Sequence, residues 1–233
     1  GGAIVVVDVK TGEPLAIASY PTFDLSSIIE DYSDLLEAEN DPLFNRALNG
    51  AYEPGSTFKP CTAIAGLTEN IINTETQIEC TGLFTKYADQ GYAPACWIYT
   101  QTDGQLTHGY DNVTEAIKDS CNVFFYTVAD NLGIRKLMEY AKNFGLGEST
   151  GIELSETTGN MANPDNHLNY DVDSWVDGDT VQAGIGQSDS MFTPLQLAEY
   201  CAAIANGGTR HSAAILKSVR SYDYSRQLYQ KET

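Results

Sequence analysis

The chain has 233 residues, enough for one large domain or two small ones, and its 42% hydrophobic content can fill a core, which excludes a disordered chain. Thirteen Lys and Arg against 32 Asp and Glu leave a formal charge of −19, so nothing neutralises nucleic-acid phosphates or docks on anionic lipid. The acidity reads as a solvated surface, and no apolar run nears the roughly 18 residues that a membrane span needs.

In chain order, residues 3–9 and 14–19 are β-rich runs separated by Lys10-Thr11-Gly12-Glu13, a stretch suited to a short reversal, and together they predict a β-hairpin. Residues 26–40 place Ile28, Ile29, Tyr32, Leu35 and Leu36 near helical spacing behind a capping serine and predict a surface helix. Residues 57–70 read as a helix with Cys61, Ile64, Ala65 and Leu67 apolar. It is entered through the turn Glu53-Pro54-Gly55-Ser56 and carries Pro60 in its first turn, where a missing N–H does little harm. Four more helices are predicted at 113–117, 123–132, 135–144 and 194–206, the last three closing near Gly133, Gly145 and Gly207. With no internal repeat and no Pro- or Ser-rich linker, the simplest count is one domain. A lone two-stranded hairpin is marginal, so either the helices cover it or further strands lie in sequence not given. The chain also starts at Gly1 with no basic-then-apolar leader, and reads as a piece of a longer protein.

The most informative stretch is Tyr52-Glu53-Pro54-Gly55-Ser56-Thr57-Phe58-Lys59-Pro60. A serine at a helix N-terminus with a lysine three residues on puts hydroxyl and amine on one face, one turn apart, at hydrogen-bond distance for a nucleophile and its base. The helix dipole favours negative charge on the Ser56 oxygen. For Lys59 to accept a proton near neutrality its pKa must fall by about 3, roughly 4 kcal/mol, which needs burial or a nearby cation. Alone, S-x-x-K is as readily a capping serine and a solvated lysine. Ser120-Cys121-Asn122, just ahead of the 123–132 helix, adds a hydroxyl and an amide able to relay a proton and hold a substrate carbonyl, although by itself it also reads as an N-cap.

Taken together, these motifs resemble the transpeptidase domain of a class B penicillin-binding protein of the elongation type. The resemblance runs nearly end to end, from Asp8-Val9-Lys10-Thr11-Gly12-Glu13-Pro14-Leu15-Ala16 through the Ser56 and Ser120 segments. It continues through Phe144-Gly145-Leu146-Gly147, Gly178-Asp179-Thr180, Gly184-Ile185-Gly186-Gln187, Pro194-Leu195-Gln196-Leu197-Ala198 and Ala205-Asn206-Gly207-Gly208. It implies an α/β (α+β) fold of the penicillin-binding-protein and β-lactamase type, here a hairpin plus a mostly helical body with the remaining sheet strands missing. It further implies that residues 1–233 form one incomplete transpeptidase domain with a polar insertion at about 79–110. Ser56 would be the acylated nucleophile and Lys59 its base, with Ser120 and Asn122 as second motif, and no cofactor or metal. The substrates implied are peptidoglycan stem peptides ending in D-Ala-D-Ala, with β-lactams acylating the same serine. The implied partners are a lipid-linked glycan polymerase and morphogenesis proteins, with no nucleic acid. The implied location is the extracytoplasmic face of the bacterial membrane, through an upstream anchor.

One departure stands out: the only Lys-Thr-Gly, Lys10-Thr11-Gly12, precedes Ser56, whereas the family's third motif follows S-x-N. It reads as a turn, and the third motif, with the missing strands, is expected beyond Thr233. Losing an oxyanion donor commonly costs about 100- to 1,000-fold, so the isolated chain is expected to be inactive or nearly so and to expose an unpaired sheet edge. Two other readings stand beside the transpeptidase: a serine β-lactamase-like enzyme, which rapid cephalosporin turnover would mark, and a non-catalytic sensor or scaffold in a wall-building complex. By resemblance, Trp175 and Gly178-Asp179-Thr180 flank the cleft and Gly186-Gln187 supports it.

Of five cysteines, Cys61, Cys121 and Cys201 read as small core residues. Cys80 and Cys96 lie in the polar stretch and could be a disulfide worth about 3 kcal/mol, free thiols, or metal ligands with His108. The metal reading lacks a convincing fourth ligand, Glu115 being the only plausible donor around 114–118. Asp171, Asp173, Asp177 and Asp179 fail the EF-hand pattern, since Trp175 stands at a ligand position and Val176 at the turn glycine, and read as a solvated acidic loop.

Overall fold

β1 (Gly2–Val7) pairs antiparallel with β2 (Pro14–Tyr20), Val5 opposite Ile17, in a computed structural model that describes residues 1–166 and 175–230. The reversal is held by the Asp8 carboxylate, which accepts from the backbone N–H groups of Lys10 and Thr11 at 2.8 and 3.0 Å, while Gly12 takes the left-handed conformation. Lys10-Thr11-Gly12 therefore forms a turn. The following elements are α1 (Ile28–Glu37), α2 (Lys59–Thr68), β3 (Ile78–Cys80), α3 (Trp97–Gln101), β4 (Gly109–Asp111), α4 (Val113–Lys118) and α5 (Asn122–Leu132). After them come α6 (Ile134–Asn143), α7 (Asp177–Ala183), α8 (Pro194–Ala205), β5 (Ser218–Arg220) and β6 (Gln227–Gln230). Five of the predicted helices lie within one to three residues of their expected ends. The 57–70 helix differs at its start, because Gly55–Phe58 forms a 3₁₀ turn ahead of α2. Neither α3 and α7 nor the pairs β3–β4 and β5–β6 were predicted, since elements of three to seven residues hold too little of a hydrophobic period to read.

The chain divides into two compact units, 53–142 with 160–191, and 1–52 with 143–159 and 192–233. No Pro- or Ser-rich segment marks the crossings, which leaves the sequence with no sign of a division.

In the unit formed by 53–142 and 160–191, α5 is the central element. It buries Val123, Phe124, Phe125, Tyr126, Val128 and Ala129 against Ala63 of α2, Val181 of α7 and Ile72, a core in which each large side chain contributes about 1.5–3 kcal/mol. Close approach depends on small residues: a Cβ on Gly66 would lie 2.7 Å from Val128, and one on Gly184 would lie 2.2 Å from the Ala129 Cβ. The Thr62 hydroxyl, fully buried, donates to the Gly184 carbonyl at 2.7 Å and fixes α2 beside the end of α7.

In the other unit β1 alternates as a half-buried strand should. Ala3, Val5 and Val7 pack on Ala47, Leu48, Ile152, Leu195 and Ala213, while Ile4 and Val6 face outward. α8 contacts β1 and begins with a capping box between Thr193 and Gln196, whose buried amide donates to the Glu148 and Thr158 carbonyls at 2.7 Å. α1 buries none of its residues, consistent with a surface helix.

Candidate active site

Pro54 and left-handed Gly55 turn the chain into the 3₁₀ segment that presents Ser56 exposed at its start and Lys59 buried, 2% exposed, at the head of α2. Gly186 backs this turn. Its carbonyl accepts from the Gly55 N–H at 2.9 Å, and a Cβ there would come within 2.3 Å of the Gly55 oxygen and 2.6 Å of the Phe58 Cβ. Only glycine permits both that approach and the φ of +73°.

The second motif enters from the loop between α4 and α5. Ser120 holds a left-handed φ of +53°, a conformation costing a non-glycine residue about 1–2 kcal/mol, and Asn122 opens α5. The Lys59 ammonium donates to three acceptors: the Ser120 carbonyl at 2.7 Å, the Ser120 Oγ at 2.9 Å and the Asn122 Oδ1 at 2.6 Å. The Ser120 Oγ in turn donates to the Ser56 Oγ at 3.0 Å. The structure thus brings Ser56, Lys59, Ser120 and Asn122 together. It corrects one expectation: the amine reaches Ser56 through the Ser120 hydroxyl, because its three donor directions are taken up by the second motif. Burial pulls the Lys59 ammonium down to about 8, while the nearby Cys96 and Cys121 sulfurs hold it up.

A cavity of about 280 Å³ opens over these groups, lined by Ser56, Trp97, Ser120, Asn122, Ile185 and Gln187. Trp97 and Ile185 were not singled out from the sequence. The indole N–H of Trp97 donates to the Asp119 carbonyl at 3.0 Å, fixing the ring beside the second motif. Trp175 donates to Thr180 Oγ1 at 2.9 Å and braces the start of α7, where Asp179 accepts from the Val176 N–H. Asp171 and Asp173 lie outside the described residues, so the acidic-loop reading rests there on sequence.

Next to the second motif, Cys80 at the end of β3, Cys96 capping α3, His108 and Cys121 capping α5 gather with one ligand atom each, all within 4.8 Å of one another. One expectation is corrected: the fourth donor is Cys121, not Glu115, a residue that is also fully buried in the core as expected. Of the three readings left open for Cys80 and Cys96, the disulfide is not formed. Irregular spacings hid the set, since the pairing of β3 with β4 is what folds Cys80 back toward His108. Three sulfurs and an imidazole match a tetrahedral zinc site, and His108 Nε2 and Asp111 Oδ2 are buried without a hydrogen-bond partner among the described residues. The residues therefore fit a thiophilic divalent cation. The Cys96 thiol is pulled down by its contacts with Cys121 and Cys80 and by the backbone N–H groups of Val123 and Asn122, while Cys121 is pushed up, so thiolate character settles on Cys96.

A serine joined through a second serine to a buried lysine, in a cleft on a mostly helical body, is an arrangement chemically suited to acyl transfer. The family model of the penicillin binding protein transpeptidase domain matches residues 2–233, and the chain belongs to that family. It is 36% identical over 224 residues to the peptidoglycan D,D-transpeptidase MrdA of Acinetobacter baumannii, covering 93% of this chain and 32% of that protein. Its fold superposes with a TM-score of 0.85 on Pseudomonas aeruginosa PBP2 in complex with WCK 5153, at 28% identity, covering 99% of this chain and 51% of that one. With Helicobacter pylori PBP2 in its complex with MreC the TM-score is 0.80 at 29% identity, covering 91% and 39%. The chain spans about a third of the length of the curated relatives it matches.

Proposed function

We propose that this chain carries the acylation site of a serine D,D-transpeptidase that cross-links peptidoglycan stem peptides. The observation that carries the reading is the hydrogen-bonded line from Lys59 Nζ through Ser120 Oγ to Ser56 Oγ at the cavity floor. Ser56 Oγ attacks the carbonyl carbon of the penultimate D-Ala. Its proton passes to Ser120, whose own proton passes to Lys59 in the neutral form, which a pKa near 8 makes accessible at physiological pH. The terminal D-Ala leaves as the amine, taking a proton back along the same line, and the acyl group stays on Ser56 as an ester. The amine of a neighbouring stem then attacks that ester and restores the serine. Asn122 holds Lys59 in place and offers its amide N–H groups to the substrate. β-Lactams enter as substrate mimics whose ring opens onto Ser56. In the full protein this site would face the cell exterior or periplasm behind an upstream anchor and work with a lipid-linked glycan polymerase and a morphogenesis protein, as MreC is bound in the Helicobacter complex.

Incubating the full-length protein with a fluorescent penicillin, with Ser56→Ala alongside, tests this. Covalent label of one adduct mass, absent from the variant, is expected. Label that persists in Ser56→Ala would overturn the assignment, and fast turnover of a chromogenic cephalosporin would favour the β-lactamase-like reading instead.

A further inference from the structure

The turn joining β5 to β6 is held by polar groups and carries two rings that do not help to hold it. The Asp223 carboxylate accepts from the Ser221 Oγ at 2.6 Å, the Ser225 N–H at 3.1 Å and the Ser225 Oγ at 2.8 Å, and the Ser221 N–H donates to the Arg226 carbonyl at 2.8 Å. Tyr222 and Tyr224 stand outside this network, the first fully exposed and the second 77% exposed. Tyr224 also holds a left-handed φ of +59°, where glycine would sit without strain and a bulky ring is a rare choice. A strained aromatic that buries so little adds nothing to folding, which leaves binding as its use.

The two rings line a groove of about 500 Å³ together with Ser218, Val219, Arg220 and Ser221. Flat aromatic faces, serine hydroxyls and a guanidinium stand side by side there. A sugar ring, with an apolar C–H face and a rim of hydroxyl and amide groups, matches that mixture. An anionic lipid surface asks instead for a cluster of roughly four to eight basic residues. Residues 215–230 hold three, Lys217, Arg220 and Arg226, and Lys217 pairs with Glu13 at 3.7 Å. Three bases against Asp223 still leave this stretch at +2 on a chain of −19, so a polymer bearing carboxylates is attracted here and repelled by the rest of the surface.

Resting on the function proposed above, we propose that the β5–β6 turn is a docking site for the glycan strand that carries the stem peptides. Tyr222 and Tyr224 stack on its sugars, and Arg220 and Arg226 meet its carboxylates. Tethering the polymer there raises the local concentration of its stems without any change at Ser56.

The test measures binding of soluble glycan strands, freed of stem peptides by an amidase, to the full-length protein. The parent should bind them, and Tyr222→Ala and Tyr224→Gly should each bind about tenfold more weakly. Tyr222 is fully exposed and glycine suits the left-handed turn, so both variants should unfold in urea no earlier than the parent, and a variant that keeps parent stability carries the comparison. Turnover of stem peptides borne on strands should drop in the variants, while turnover of a free stem peptide and penicillin labelling of Ser56 stay at the parent rates. Strands that do not bind the parent, or that bind both variants as tightly as the parent, would overturn the docking site and leave the acylation site standing. A photoreactive residue in place of Tyr222 that cross-links in cells to a protein and not to glycan would overturn it too, and would assign the surface to a protein partner. Failure of Ser56 to label in a parent that binds strands would overturn the acylation site alone.

Discussion

The protonation of Lys59 makes the sharpest quantitative claim. Its ammonium is almost wholly buried and falls from an ordinary value of 10.5 to about 8, burial outweighing the sulfurs that favour the charge. The neutral fraction then climbs from about one-tenth at pH 7 to about nine-tenths at pH 9, so the second-order rate of Ser56 acylation should rise about tenfold over that range and level off above it. Stability follows with a fixed sign. Between pH 8 and 10.5 the unfolded chain binds the Lys59 proton and the folded chain does not, so folding gains stability as pH rises through that window. Below pH 8 the buried ammonium costs about 3 kcal/mol. The rate is measured with a fluorescent penicillin in the full-length protein by stopped flow, with Ser56→Ala run in parallel to remove solvent reaction with the β-lactam. A flat profile from pH 7 to 9, or an inflection near the ordinary lysine value, would refute the reasoning that Lys59 is the proton acceptor.

Two stability predictions probe the frame around the site. Gly186→Ala adds a Cβ within 2.3 Å of the Gly55 oxygen at a left-handed φ, and should destabilise by about 3–5 kcal/mol by urea titration. Gly91→Ala, also at positive φ but with nothing within 4 Å, should cost only about 1–2 kcal/mol; equal losses would show that the clash is relieved. Asn112 accepts from the N–H groups of Thr114 and Glu115 in a complete capping box on α4, the helix that leads to Ser120. Asn112→Ala should therefore cost about 1 kcal/mol in the same titration, and a loss below a few tenths would show that the cap does not hold that helix.

Much of the frame was legible in the residues. Alternation in β1, helical spacing in α2, α5 and α8, and glycines just past helix ends are local properties, and local periodicity is what a single sequence carries. Ser56-x-x-Lys59 and Ser120-x-Asn122 were legible for the same reason, because each functional pair lies within one turn of chain. Trp97 and Ile185 carry no pattern of their own, and they reach the cavity only because α3 and the Gly184–Gln187 turn are folded beside it. The hydrogen bonds that join Lys59 to Ser56 through Ser120 depend on a left-handed backbone that S-x-N does not specify. Cys121 as partner of Cys80, Cys96 and His108 depends on contacts between residues 13 to 41 positions apart in the chain. The sequence by itself determined the family, the opening hairpin, the order of six helices and the candidate pairs Ser56–Lys59 and Ser120–Asn122. Tertiary structure alone decided how Lys59 reaches Ser56 and which four donors meet, since both depend on segments distant in the chain being packed around α5.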